Sequence, residues 1–335
     1  MKATFICLPA LFCCVAASAQ FPFRFPTANT NLFVPGAELK FFAPTEADKP
    51  WTSGGFGCVR DNGWRMHEGL DIRHLQTDRR GEPADPIMAA ADGTVVYFSD
   101  RPGLSNYGNY IVIRHVIEGI EIYSVYAHLS AIAPGLKVGE AVKAGDVIAT
   151  MGRTSDTGWI PKWRAHVHFE LNVFFNDRFA IWFKKNFRGE RNDHGQWNGL
   201  NLFALDERDI FLQERALGPK FSLLNYIRNQ TALCRVIVRA AHFPYLKRYP
   251  MLVTPNPVAQ KQGVAGYEMA INYNGVPFAL MPLAASEIKG RARFQLVSVN
   301  EAVEKANPCR RLVVKRRGHW ELANEGIRLL DLLTF

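Results

Sequence analysis

Between residue 51 and about residue 176, short runs of β-branched and aromatic residues are cut at regular intervals by Gly and Asp. The runs cover 94–98, 110–113, 120–126, 147–151 and 166–171. Their spacing and composition predict antiparallel strands and a mainly β region. Beyond about Arg178 the period changes. Residues 181–187 and 205–217 carry apolar positions at helical spacing, and 221–228 offers a third helix. Residues 233–240, 266–274, 293–300 and 312–314 read as strands, and 320–333 closes the chain as a short strand or helix. Residues 20–50, rich in Pro, Phe and Thr without helical period, predict an extended segment packed along the β domain. The pattern therefore divides the chain into an extended segment (20–50), a mainly β domain (51–177) and an α+β domain (178–335).

A length of 335 residues favours more than one domain, and 48% hydrophobic with 21% charged residues describes a globular chain with a real core. Residues 1–19 read as a signal peptide. Lys2 gives a positive start, 3–17 is almost wholly apolar, and Ala17-Ser18-Ala19 has the small-x-small form of a cleavage site before Gln20. A retained anchor would need about 20 apolar residues. A lipoprotein cysteine at Cys13 or Cys14 would follow the bulky Phe12. Removal of Lys2 takes the net charge from +9 to +8, which draws a secreted protein towards polyanions. Cys58, Cys234 and Cys309 remain, and a Cys234–Cys309 disulfide is the natural pairing because both lie in the later region.

Three fragments carry candidate chemistry: His67-Glu68-Gly69-Leu70-Asp71, Tyr126-Ala127-His128-Leu129, and the pair in His166-Val167-His168. On a strand His166 and His168 share a face, with Cα atoms about 6.5–7 Å apart, while Val167 and Phe169 turn to the core. His67 and Asp71 would be about 13 Å apart on a straight strand, so the chain must bend between them, with Gly69 supplying the freedom. Two imidazoles and a carboxylate suit a tetrahedral zinc with its fourth position open for water. Each fragment alone also fits a plain reading as surface polar residues.

Taken in order, these fragments resemble the lysostaphin-type, LytM-like zinc metallopeptidases, a family of murein endopeptidases. The likeness runs from about Phe56 to Leu171. It includes Phe56-Gly57, Ala91-Asp92-Gly93-Thr94-Val95, Tyr107-Gly108-Asn109-Tyr110, Val142-Lys143-Ala144-Gly145 and His166-Val167-His168-Phe169-Glu170. The resemblance implies a β catalytic domain of the barrel-sandwich type with an open groove, and one Zn(2+) per chain held by His67, Asp71 and His168. His128 and His166 would be the catalytic pair, with His166 favoured as general base and His128 as oxyanion stabiliser. The zinc would bring its bound water to a pKa of about 7. The implied substrate is peptidoglycan peptide, cross-link or stem, at a periplasmic or cell-wall location.

Two departures stand out. Trp159-Ile160-Pro161-Lys162-Trp163-Arg164-Ala165 separates Thr157-Gly158 from the His-x-His strand, as a groove edge or a packed surface loop. Residues 178–335 fall outside the resemblance. Their basic Arg310-Arg311 and Lys315-Arg316-Arg317 suit anionic wall polymers or a solvated strand face. His74, His115, His194, His242 and His319 have no ligand-like partners, and Glu170 is either a support of the ligand strand or exposed. Three other functions compete. A non-catalytic relative that activates other wall hydrolases should have lost a polar site residue, and none is lost. A biotinyl- or lipoyl-type carrier needs a lysine at a tight hairpin, and Lys137 has no such turn. Specific nucleic-acid binding would rest on charge alone.

Overall fold

A computed structural model describes residues 22–44 and 51–335. The signal peptide expected over 1–19 lies outside the described residues. The strands in chain order are β1 (Gly57–Arg60), β2 (Arg65–His67), β3 (Leu70–Arg73), β4 (Pro86–Met88), β5 (Gly93–Ser99), β6 (Tyr110–Ile117), β7 (Ile120–Ala127), β8 (Ala131–Ile132), β9 (Ala141–Val142), β10 (Val147–Thr150), β11 (His166–Phe174) and β12 (Leu202–Ala204). They continue as β13 (Cys234–Val238), β14 (Gly266–Ile271), β15 (Pro277–Leu283), β16 (Phe294–Val299), β17 (Val313–Arg316) and β18 (His319–Leu322). The architecture is mostly antiparallel sheet with an α+β region after residue 178.

A large sheet in the order β12-β11-β7-β6-β5-β9 carries β3 on the same edge of β11 as β12. Strand β11 is its axis. It pairs β3 at its start, β12 at its end and β7 on the other side. A strand enclosed in this way reads as a continuous buried run, and all nine residues of β11 are buried. Val167, Phe169, Leu171 and Val173 join Leu70, Ile72, Ile111 and Ile113 in one core. A smaller sheet, β4-β10-β8, adds Ile87 and Ile148 to it.

The chain after β11 continues this packing. Leu202–Ala204 extends the large sheet, and the helix Glu207–Leu217 presents Phe211 to Phe23, Phe25 and Phe169. Phe23, Phe41 and Phe42 of the N-terminal segment are buried in the same core. That segment is not wholly extended, since Glu38–Phe41 forms one short helical turn. The four-stranded sheet β15-β14-β13-β16 and the hairpin β17-β18 complete the α+β region. No helix among the described residues is long and apolar enough to cross a membrane.

The disulfide differs from expectation. Cys309 pairs with Cys58, Cα to Cα 5.4 Å, and Cys234 is free. Cys234 starts β13 with its side chain in the core, 3% exposed, where burial pushes its thiol up to about 12. Cys309 instead sits on the turn Pro308–Arg310, laid against β1 and β2. Closeness along the chain was the wrong guide, because the two cysteines face different elements.

Candidate metal centre

Strand β2 ends at His67 and β3 begins at Leu70, so Gly69 lies in the bend that brings His67 and Asp71 together. The role of Gly69 is close approach rather than unusual dihedral freedom. A Cβ there would lie 2.4 Å from the Phe169 carbonyl oxygen and 3.1 Å from the His168 ring. Antiparallel register then sets Asp71 opposite His168. His128 follows β7 with φ of 61°, a left-handed conformation uncommon outside Gly. Its N–H donates to Tyr107 O at 2.8 Å, which holds it there.

Three ligand atoms converge. His67 Nε2 lies 3.0 Å from Asp71 Oδ1 and 3.1 Å from His168 Nδ1, and the third side, His168 Nδ1 to Asp71 Oδ1, is 3.0 Å. Bonds of about 2.0–2.1 Å to a tetrahedral zinc put ligand atoms about 3.3 Å apart, so this triangle needs only slight expansion. The surrounding groups fix which atoms point inward. His67 Nδ1–H donates to Gly55 O at 2.7 Å, leaving the Nε2 lone pair facing the triangle. His168 Nε2–H donates to Glu170 Oε1 at 2.7 Å, so Nδ1 faces it too. Asp71 Oδ2 accepts from Arg60 Nη2 at 2.5 Å, which leaves Oδ1 inward. Electron-rich atoms from three side chains therefore meet at one buried point, an arrangement that a cation stabilises. His67, Asp71 and His168 form a group able to hold a metal ion.

The charges around the triangle agree. Burial opposes ionisation of Asp71, but the histidines and Arg60 outweigh it and hold its carboxyl well below the usual range. Burial also opposes a charged His168, yet Asp71 and Glu170 raise it to about 9. The two carboxylates thus favour positive charge at this point, as a bound cation would supply. Burial lowers His67, takes His166 down to about 4 and lowers His128 well below its usual value. Both of the latter rings are neutral at pH 7.

These two rings flank the triangle without joining it. His166 Nδ1–H donates to Arg164 O at 2.6 Å and His128 Nδ1–H to Thr154 O at 2.9 Å. Each therefore keeps its Nε2 lone pair, and His166 Nε2 comes within 3.5 Å of Asp71 Oδ1. The ring centroids of His128 and His166 are 4.8 Å apart. In this tautomer both are proton acceptors. His128 can donate to an oxyanion only after gaining a proton on Nε2.

The site opens on a cleft of 340 Å³ lined by His67, His128, His168, Glu170, Tyr107 and Arg310, among others. Depressions of 610 and 660 Å³ lie elsewhere, without converging ligand atoms among the described residues. The segment 159–165 does not line the cleft. It packs outside, with Arg153 over the Trp159 ring, and contributes to the site through the Arg164 carbonyl.

Glu170, left open from sequence, is buried and accepts from His168, from Tyr107 Oη at 2.7 Å and from Asn172 Nδ2 at 2.8 Å. His194 has no ligand-like partner in the sequence motifs, yet it is buried and its ring lines the cleft, bonded to Tyr97 Oη at 2.9 Å. Arg310, grouped with a basic strand face, turns into the cleft. Lys315 and Arg316 instead pair locally with Glu301 and Glu321. Nothing in the local sequence marks His194 or Arg310, because topology alone brings them here.

The β-rich fold thus buries two imidazoles and one carboxylate in a group that could hold a metal ion, a donor set of the kind found in metal-dependent hydrolases. Residues 65–179 match Peptidase family M23. The chain is 36% identical over 94 residues to Lipoprotein NlpD of Yersinia enterocolitica, covering 28% of this chain and 84% of that protein. It is 32% identical over 139 residues to the Lipoprotein NlpD/LppB homolog of Pseudomonas aeruginosa, covering 41% of this chain and 39% of the other, so it spans about two fifths of that relative. The catalytic domain of the antimicrobial peptidase lysostaphin from Staphylococcus simulans is 24% identical, covering 39% of this chain and 75% of that one, with a TM-score of 0.25. The chain belongs to peptidase family M23, the family to which its motifs pointed.

Proposed function

We propose that the protein is a zinc-dependent endopeptidase of the bacterial envelope that cleaves peptidoglycan peptides. The observation that carries this reading is the convergence of His67 Nε2, Asp71 Oδ1 and His168 Nδ1 within 3.1 Å of one another, each aimed by a second bond on its far side. A zinc ion held there would supply Lewis-acid polarisation of water and of a peptide carbonyl. The chain's own residues do the rest. His166, neutral and with its Nε2 lone pair facing the site, takes the proton of the attacking water. That proton passes on to Nε2 of His128, whose ring centroid is 4.8 Å away, and the imidazolium so formed donates to the oxyanion. The proton then returns to the leaving amine.

Retention of all five polar groups, with the tautomers of the four imidazoles set by hydrogen bonds, supports an enzyme over a regulator that binds and activates other wall hydrolases. In this proposal residues 51–177 carry the chemistry, and 178–335 form a second unit that supplies part of the cleft wall. The lipoprotein relatives support an envelope location, and the signal peptide expected over 1–19 agrees with it. The test uses the mature chain loaded with zinc and incubated with isolated peptidoglycan. New amino groups should appear, stop on chelation and return on zinc addition. His67→Ala should lose both metal and activity, whereas His166→Ala should retain metal and lose turnover. A zinc-loaded protein that releases no amino groups would favour the regulator.

A further inference from the structure

One wall of the cleft comes from beyond the end of the family match at residue 179. Arg310 is placed there by long-range contacts. Its neighbour Cys309 is cross-linked to Cys58 in β1. Arg310 Nε donates to Asn274 Oδ1 at 2.7 Å, and Asn274 Nδ2 in turn donates to Ala204 O at 2.6 Å. Arg310 Nη2 lies 3.2 Å from Glu68 Oε1, and Cζ lies 5.8 Å from the centroid of the Phe203 ring. The guanidinium is thus held on three sides while its side chain remains 24% exposed. Its Nη1 has no hydrogen-bond partner among the described residues.

The other charged groups of the lining make Arg310 the candidate. Arg60 is engaged by Asp71, and Glu170 is buried and fully bonded. Arg65 is exposed and, among the described residues, paired only with the equally exposed Asp61. The internal competitor for Arg310 is Glu68, 36% exposed and joined to it by one contact. Such a pair is weak and easily exchanged, whereas a guanidinium fixed in advance binds a carboxylate through strong, directional, charge-assisted bonds.

We propose that Arg310 forms a subsite for a carboxylate carried by the peptide substrate, and so determines specificity for acidic over amidated peptides. This rests on the peptidase reading for its biological meaning, but its test does not require turnover. The probes are muropeptides released by a muramidase, used as free acids and after carbodiimide coupling with ammonia, which turns their carboxylates into carboxamides of similar size. Binding is measured on the zinc-loaded full chain carrying His166→Ala, so that bound peptide is not cleaved.

The free acids should bind about tenfold more tightly than the amidated forms. Adding Arg310→Gln should bring the two within about twofold, with zinc content and the disulfide unchanged. Arg310→Lys should keep part of the preference, and Glu68→Gln should increase it by removing the competitor. A purely structural Arg310 would alter stability without altering acid-over-amide preference. Equal binding of both forms, binding of neither, or a preference that survives Arg310→Gln overturns the subsite. Should Arg310→Gln fail to fold, Glu68→Gln decides, and an unchanged or smaller preference refutes the proposal. Absence of amino-group release by the unsubstituted protein, with the binding preference intact, would refute the peptidase reading alone.

Discussion

Glu170 offers the sharpest test of the metal group, because it never touches the proposed ion and yet decides which nitrogen of His168 faces it. Three donors meet its carboxylate: His168 Nε2, Tyr107 Oη and Asn172 Nδ2, at 2.7, 2.7 and 2.8 Å. Gln at this position keeps the shape but brings an NH2 group that cannot accept. If that group faces His168, the imidazole moves its proton to Nδ1 and loses the lone pair aimed at the triangle. If it faces away, Asn172 loses its acceptor, while Tyr107 keeps the oxygen it shares with His168. Hydrogen bonds to a charged group contribute about 1.5–3 kcal/mol each, and loss of a carboxylate behind a metal-binding histidine costs about 10–100-fold in metal affinity. The two scales agree, since each factor of ten is about 1.4 kcal/mol. Zinc affinity of Glu170→Gln, measured by competition with a chromophoric chelator at pH 7, should fall in that range. Tyr107→Phe, which removes one donor and leaves the carboxylate, should cost far less. Unchanged zinc affinity in Glu170→Gln would refute the claim that Glu170 selects the His168 tautomer.

Two further predictions concern backbone and protonation. Gly69→Ala should cost several kcal/mol, at or above the ~1–3 kcal/mol usual for overpacking. Its Cβ would meet a backbone oxygen at 2.4 Å, so the thermal midpoint and zinc content should fall together. Glu214 is raised to about 7 by burial, against the hydrogen bond it accepts from Phe23 N. The native state therefore holds this proton between pH 4.5 and 7 while the unfolded chain releases it, and stability should decline as pH rises through that window. Glu214→Gln keeps an acceptor for Phe23 N. It should flatten this slope and raise stability at pH 8 by an amount on the order of 2–3 kcal/mol, as read from urea unfolding across pH.

Periodicity carried much of the fold. The runs at 94–98, 110–113, 120–126 and 166–171 became β5, β6, β7 and β11, and the helices near 181–187, 205–217 and 221–228 appear as Phe179–Asn186, Glu207–Leu217 and Leu223–Arg228. Strands β12 and β15 escaped notice for physical reasons. Three residues of β12 carry no period, and β15 has Pro277 and Pro282, tolerable because it is the edge of its sheet. At the site, the shared face of His166 and His168 was legible because strand geometry dictates it. The need for Gly69 was also legible, although the reason is the nearness of Phe169 rather than rotational freedom. Arg310, His194 and the partner of Cys58 were not, since no local pattern encodes which distant segment closes over a sheet edge.

The Cys58–Cys309 bond spans 251 residues, which imposes an order of events on a chain made from its N-terminus. The strand leading to His67 emerges first, but the thiol that anchors it is made only 251 residues after Cys58. Until then Arg310 and the turn that bears it are absent, and one bank of the groove does not exist. A complete groove is thus withheld from the nascent polypeptide until the residues around Cys309 are made, and the bond that holds them to β1 forms only where thiols are oxidised.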